Sequence, residues 1–293
     1  MLNKLSSFEK EFILDGVQKD IRADGRSCFD YRHLTIETGV LSNTSGSSRL
    51  RLAATDVLVG IKVELGRPLP GQDEGQILFS VECSTSASPE FQGRGGDLLS
   101  ACLTRCLERM IANKKAIDMN KLIIIPEKQC WIIYVDTMIL VNGGNVLDAI
   151  SLAIRAALLD VKIPEISVVE DGDNYELEIS DNPQACQTLD LGSWPVLVTL
   201  SEIGSKFIVD ASIEEECCTV GRVTFGVNKD GSIMCTQKAG KGTVDPTILP
   251  EMLKIALSFG KELITNLDEK VKLQRELEER GGYQKLGFLG SAY

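Results

Sequence analysis

Residues 147–159, LDAISLAIRAALL, constrain this 293-residue chain more than any other stretch. A segment of this length that is apolar almost all round reads as a helix buried in the middle of a fold. The rest of the chain must cover it. It is long enough to build a sizeable core, either as one large domain or as two tightly joined halves. No run of eighteen apolar residues is present, so a membrane-spanning helix is not expected. The N-terminal residues are charged and amphipathic and lack the apolar core of a secretory signal.

The flanking pattern supplies the covering layers. Ser6 and Glu9 have capping-box spacing, and Phe8, Phe12, Ile13 and Val17 repeat at helical intervals, which predicts a helix within 5–20. Arg22-Ala-Asp-Gly-Arg26 reads as a turn. Period-two alternation predicts strands at 33–40, 48–53, 57–65 and 77–83, with a turn at Thr55-Asp56. In the second of these, Arg49 and Arg51 face away from Leu50 and Leu52. A helix follows, with Asp97 expected as its cap and Leu98, Cys102, Leu103, Cys106, Leu107, Met110 and Ile111 as one apolar stripe. Strands are predicted at 121–125 and 130–141, and beyond Pro164 at 166–170, 196–201, 206–210, 221–227 and 232–237. A last helix is expected to start at Pro246. Nine of the thirteen residues 268–280 are charged, so that stretch reads as a solvated helix extension or a fraying tail. Residues 281–293 read as a flexible end in which Phe288 and Leu289 could anchor to a partner. The order of strands and helices predicts an α+β fold with mixed α/β layers.

The net charge of −11 repels polyphosphate on average, so any nucleic-acid contact needs a local basic patch or partner chains. Nine cysteines in no framework read as reduced thiols of the cytosol or nucleus, with Cys102 and Cys106 as small core residues. A single histidine, His33, argues against a Cys/His zinc site and against a Ser-His-Asp triad.

Three places could carry chemistry. Asn142-Gly-Gly-Asn145 precedes the buried helix, where free backbone N–H groups and glycines suit an anion; a plain tight turn is the commoner meaning of such a sequence. Asp210 with Glu214, Glu215 and Glu216 could hold Mg²⁺ or share a proton, although such runs are more often solvated loops. Arg105 and Arg109 share a helix face, and Arg94 lies in the loop before it, so the three could contact a phosphodiester backbone or be ordinary solvated charge.

The stretches RADGR at 22–26, NTSGSSRLRLAATDVLVGIKVELG at 43–66, SASPEFQGRGGD at 86–97, NGGNVLDAISLAIRAAL at 142–158, VDASIEEE at 209–216 and KAGKGTVDP at 238–246 occur in this order. As a set they resemble the RNase PH family, and within it the ring subunits of the RNA exosome. The resemblance implies two β/α halves related to domain 2 of ribosomal protein S-five, at 30–162 and 190–267. Helix 5–20 would precede them and a charged extension, 268–293, would follow.

Active members of the family shorten RNA from its 3′ end with inorganic phosphate as nucleophile. They grip the phosphate with a Thr/Ser-Arg pair after two glycines and use acidic residues on a later strand and loop. Here Asn145-Val146 stands at that pair, and valine offers neither charge nor a side-chain hydrogen bond. Asp210 matches the first catalytic aspartate and Glu216 the second acidic position, one methylene longer. The resemblance therefore implies a relic site at Asn145, Val146, Asp210 and Glu216, with no catalysis, no cofactor and no metal. It also implies RNA contact at Arg94, Arg105 and Arg109.

The function so implied is a structural subunit supporting 3′-to-5′ RNA processing and degradation, rRNA maturation and mRNA decay included. The implied compartments are nucleus, nucleolus and cytoplasm. The implied partners are other RNase PH-like ring subunits, OB- and KH-type cap subunits, RNA in the central channel and a separate hydrolytic nuclease. Two other readings stay open: an active phosphate-dependent exoribonuclease with an altered phosphate grip, and a free RNA-binding protein outside any ring.

Overall fold

The computed structural model describes residues 5–71, 74–111, 116–171, 174–179 and 185–280. The expectation for 281–293, with Phe288 and Leu289, lies outside the described residues.

Helix α1 (Ser7–Gln18) carries the expected capping box: the Glu9 N–H donates to Ser6 Oγ, and the Ser6 N–H donates to Glu9 Oε2 at 2.7 Å. Only Ile13 and Val17 of its apolar residues are buried. Phe8 and Phe12 are 80% and 68% exposed, so the helix leaves its aromatic edge uncovered.

The first sheet contains β1 (Leu34–Thr38), β2 (Gly46–Leu52), β3 (Thr55–Gly66), β4 (Gln76–Cys83), β5 (Ile123–Ile125) and β6 (Gln129–Val141). Its order is β1-β2-β3-β6-β4, with β5 pairing β6, and only β4 runs parallel to its neighbour. The β2–β3 turn falls at Ala53-Ala54 rather than at Thr55-Asp56, which already lie in β3. The alternation in β2 holds: Leu50 and Leu52 are fully buried, while Arg49 and Arg51 both pair with Asp56 across the strand.

Helix α2 (Asp97–Ile111) begins at Asp97 itself, so that residue sits in the first turn and does not precede it. Its buried stripe is Leu103, Cys106, Leu107 and Met110; Leu98 and Cys102 are exposed. Cys102 is therefore not a core residue, because a one-sided helix buries only the stripe that meets the sheet. The segment expected as a strand at 121–125 starts as a 3₁₀ turn over Met119–Leu122 and extends only at β5.

Helix α3 (Val146–Asp160) is the buried helix. Ala149 through Leu158 are all buried, between β2 and β3 on one side and the second sheet on the other. That sheet has the order β12-β11-β13-β14, from β11 (Val196–Ile203), β12 (Lys206–Val209), β13 (Gly221–Val227) and β14 (Ile233–Ala239). Between β12 and β13 the acidic run forms helix α4 (Ile213–Cys218), capped by Ser212 and Glu215, instead of a loop. Between α3 and β11 run β7 (Ile163–Pro164), β8 (Ile166–Asp171), β9 (Asn174–Ile179) and β10 (Cys186–Gln187), with β7 pairing β10 and β8 pairing β9. The result is an α+β fold.

Helix α5 (Leu249–Glu279) starts three residues after Pro246 and carries Pro250 in its first turn. The charged stretch that follows residue 267 continues this helix to Glu279. One contact explains why it does not fray. Arg155 on α3, 2% exposed, donates to both carboxylate oxygens of Asp268 at 3.0 Å and to the carbonyls of Leu191 and Trp194. One turn and a half further on, Gln274 bonds both backbone groups of Thr38 on β1. Helix α5 thus straps the second sheet to the edge of the first.

Removing one partner of a buried pair leaves the other charge unsolvated. Arg155→Ala should therefore lower unfolding stability by about 3–5 kcal/mol in urea denaturation. Lys229→Ala, which removes a half-exposed lysine 3.6 Å from the same Asp268, should cost less than about 1 kcal/mol. Equal costs would contradict this account of the strap.

Candidate functional site

The four residues expected at a phosphate site do meet in space. Asn145 and Val146 come from the β6–α3 turn, Asp210 from the end of β12, and Glu216 from α4. Asn145, Val146 and Glu216 border a cleft of about 130 Å³ between α2 and the second sheet, also lined by Cys102, Cys106, Asn142, Arg222 and Gln237, while Asp210 lies buried behind Asn145.

Local backbone geometry explains the two glycines. Gly144 has φ +92°, and a Cβ there would lie 2.6 Å from the backbone of Ser212 and Ile213. A Cβ on Gly143 would lie 2.7 Å from that of Ala54. The glycines admit neighbouring segments of the chain itself to the turn. Asn145 follows in the left-handed region at φ 51°, which asparagine tolerates better than most residues.

Asp210 is the centre of the site and has 0% exposure. Its Oδ1 accepts from Arg32 Nη2 at 2.7 Å and from Asn145 Nδ2 at 2.9 Å. Its Oδ2 accepts from the Arg32 backbone N–H at 2.8 Å, Arg32 Nε at 2.9 Å and Arg26 Nη1 at 3.2 Å. Burial alone would push this carboxyl up, but the Arg32 guanidinium and Asn145 hold it below the usual aspartate range. The same Arg32 donates to the carbonyls of Gly143 and Gly144 at 2.8 and 3.1 Å, and Thr55 Oγ1 donates to Gly144 at 2.6 Å. Behind it, Arg22 bonds Glu215 at 2.8 Å and the carbonyls of Val209 and Asp210.

The turn's own donor is also engaged. The Asn145 backbone N–H, at the N-terminus of α3, donates to Glu216 Oε1 at 2.9 Å. Burial raises the Glu216 carboxyl, opposed by this hydrogen bond and by Arg222, whose Nη1 lies 3.8 Å away. A carboxylate from the chain thus sits where a helix N-terminus would attract an external anion. Val146 opens α3 and is buried, with no polar side-chain atom to offer the cleft.

The three arginines expected to meet RNA are elsewhere. Arg105 and Arg109 are exposed on α2. The Arg94 side chain is 96% exposed and lies 3.8 Å from Asp97. None of them lines the cleft. Sequence reasoning missed the residues that hold the site together: Arg22, Arg26, Arg32 and Arg222. Arg22 and Arg26 stood in a recognised turn, but nothing in the spacing pointed them at an aspartate more than 180 residues away. Among the described residues, no group of three or more His, Cys, Asp or Glu is placed to hold a metal ion. Nor is any described helix long and apolar enough to cross a membrane.

With this geometry in view, the likeness to known proteins is specific. Residues 30–164 match domain 1 of the 3′ exoribonuclease family, RNase PH, and residues 193–258 match its domain 2. The chain belongs to the RNase PH family. An exosome complex component Rrp42 from Methanothermobacter thermautotrophicus is 36% identical, over 92% of this chain and 99% of that one. A Dictyostelium discoideum protein named as an exosome complex exonuclease, RRP42, is 32% identical, also over 92% and 99%. In three dimensions the chain resembles a subunit in the structure of the Archaeoglobus fulgidus exosome with RNA bound to the active site. The TM-score is 0.75, with 30% identity over 88% of this chain and 97% of that one.

Within this RNase PH fold one further buried acid has a pH signature. Asp148 on α3 is fully buried and accepts from the Thr199 N–H at 2.8 Å and Thr199 Oγ1 at 2.6 Å. Burial raises its carboxyl from 3.8 to about 7, against the pull of the Thr199 hydrogen bonds. The folded chain then keeps a proton that the unfolded chain releases at lower pH. The stabilisation is complete below the unfolded value of 3.8 and is lost as pH rises to about 7. Asp148→Asn should flatten that part of the stability–pH curve in urea unfolding between about pH 4.5 and 8. A slope identical to the parent chain's would show that Asp148 does not titrate in this range.

Proposed function

We propose that this chain is a non-catalytic structural subunit of an exosome ring, supporting 3′-to-5′ RNA processing and degradation by helping to form the RNA channel. The observation that carries this reading is the state of Asp210. A catalytic acid must reach a reacting group or a bound water. Here both carboxylate oxygens are buried and bonded to Arg26, Arg32 and Asn145. Two features of the turn support the same conclusion: Glu216 accepts the Asn145 N–H, and Val146 brings no cation for a phosphate. Removing one preorganised donor from an anion-stabilising site costs about 10²–10³ in rate, and here the charge-bearing contact is missing outright.

Ring membership is supported by the exosome naming of the relatives and by the likeness to an archaeal exosome core, with TM-score 0.72 over 89% of this chain. On this reading the chain's neighbours are other RNase PH-like subunits, with OB- and KH-type caps above and a separate hydrolytic nuclease downstream, in nucleus, nucleolus and cytoplasm. Exposed Arg94, Arg105 and Arg109 would touch the RNA backbone from the channel side. The net charge of −11 leaves the affinity for RNA to the assembly.

The test of catalysis is direct. Full-length chain incubated with 3′-hydroxyl RNA and inorganic phosphate should release no nucleoside diphosphate above background. Release that disappears in Asp210→Ala would establish the enzyme reading instead. For the RNA contact, Arg105→Glu with Arg109→Glu should leave ring assembly intact and shorten the RNA segment that the ring protects from nuclease. Unchanged protection would remove these residues from the RNA path.

A further inference from the structure

The charge of the molecule is unevenly placed. Between Lys162 and Lys206 there are nine acidic residues and no Lys, Arg or His, against a net charge of −11 for the whole chain. The centre of this span is the β8–β9 hairpin, a two-stranded antiparallel sheet that belongs to neither main sheet. Ile166 packs partly on the first core, but no other element pairs with the hairpin among the described residues. A lone two-stranded hairpin is marginal in water and presents unpaired backbone groups along its outer edges.

Its side chains are built to receive more than solvent. Register pairs Val168 with Leu177, and Tyr175, two residues before Leu177, lies on the same face. Val168 and Tyr175 are each 41% exposed, which leaves an apolar strip open on that face. Glu165 and Glu178 are exposed and have no ion-pair partner among the described residues. The Tyr175 ring already receives one cation: Lys128 Nζ lies 4.2 Å from its centroid. That contact shows what charge the hairpin attracts.

These features choose the occupant. A second copy of the same hairpin would set acidic strand against acidic strand, which is destabilising. A nucleic acid would meet the same repulsion. An extended polypeptide rich in Lys or Arg, with alternate apolar residues, satisfies the edge hydrogen bonds, the apolar strip and the charge together. We infer that the β8–β9 hairpin is a docking strand for a basic, extended segment of a partner protein, which adds to it as a third strand.

The probe is a fluorescein-labelled twelve-residue peptide of alternating Lys and Val, titrated into the full-length chain at low salt and followed by anisotropy. Saturable binding is expected. It should weaken at least about tenfold in Glu165→Lys/Glu178→Lys, whose melting curve confirms the fold. Reversing two acids on α5, Glu262→Lys/Glu269→Lys, should leave it unchanged. The same peptide with alternate backbone amides N-methylated should also bind at least about tenfold more weakly, because strand addition needs those N–H groups. The inference is overturned by the absence of saturable binding. It is equally overturned by equal binding to the hairpin variant, by equal loss in the α5 variant, or by undiminished binding of the N-methylated peptide.

Discussion

One buried aspartate organises the candidate site. Asp210 ties the segment after α1, the β6–α3 turn and the end of β12 to a single point, through Arg26, Arg32 and Asn145. An isolated carboxylate with 0% exposure would be costly, and two guanidinium groups with an amide donor make it tolerable. The same constraint propagates outward. Arg32 also holds the carbonyls of Gly143 and Gly144, which fixes where α3 begins and so where the fully buried helix enters the space between the sheets. An acid so engaged cannot act as a base without dismantling the turn. The proposed non-catalytic role rests on this same arrangement.

Much of the architecture was legible from periodicity. The alternation of Leu50 and Leu52 against Arg49 and Arg51, the all-apolar face of α3 and the Ser6–Glu9 cap each follow from local chemistry. What stayed hidden depended on contacts distant in sequence. The charged residues after 267 give no sign that Arg155 and Thr38 will hold them in a helix. Glu214, Glu215 and Glu216 resemble a solvated loop until Ser212 caps them and Arg22 pairs with Glu215. Strand β9 carried a readable alternation, Tyr175, Leu177 and Ile179 against Glu176 and Glu178, masked by its acidity.

The site was half legible. Asn142 to Asn145, Asp210 and Glu216 were singled out by residue type and resemblance, and they do converge. Their partners were not, because a buried arginine and an exposed one look alike in a sequence. The meaning of the glycine pair also changed. Glycine suits close backbone approach to a phosphate, but here it is Ala54 and the stretch around Ser212 that approach. The chain's own groups occupy the approaches to this turn.

The central claim is that Asp210 acts as a structural brace coupled to Arg32. A double-mutant cycle of Asp210→Ala and Arg32→Ala in equilibrium urea unfolding measures that coupling directly. The account predicts a coupling energy of about 1.5–3 kcal/mol, at the upper end of the range for contacting residues. A coupling within about 0.3 kcal/mol of zero, where independent sites fall, would contradict it.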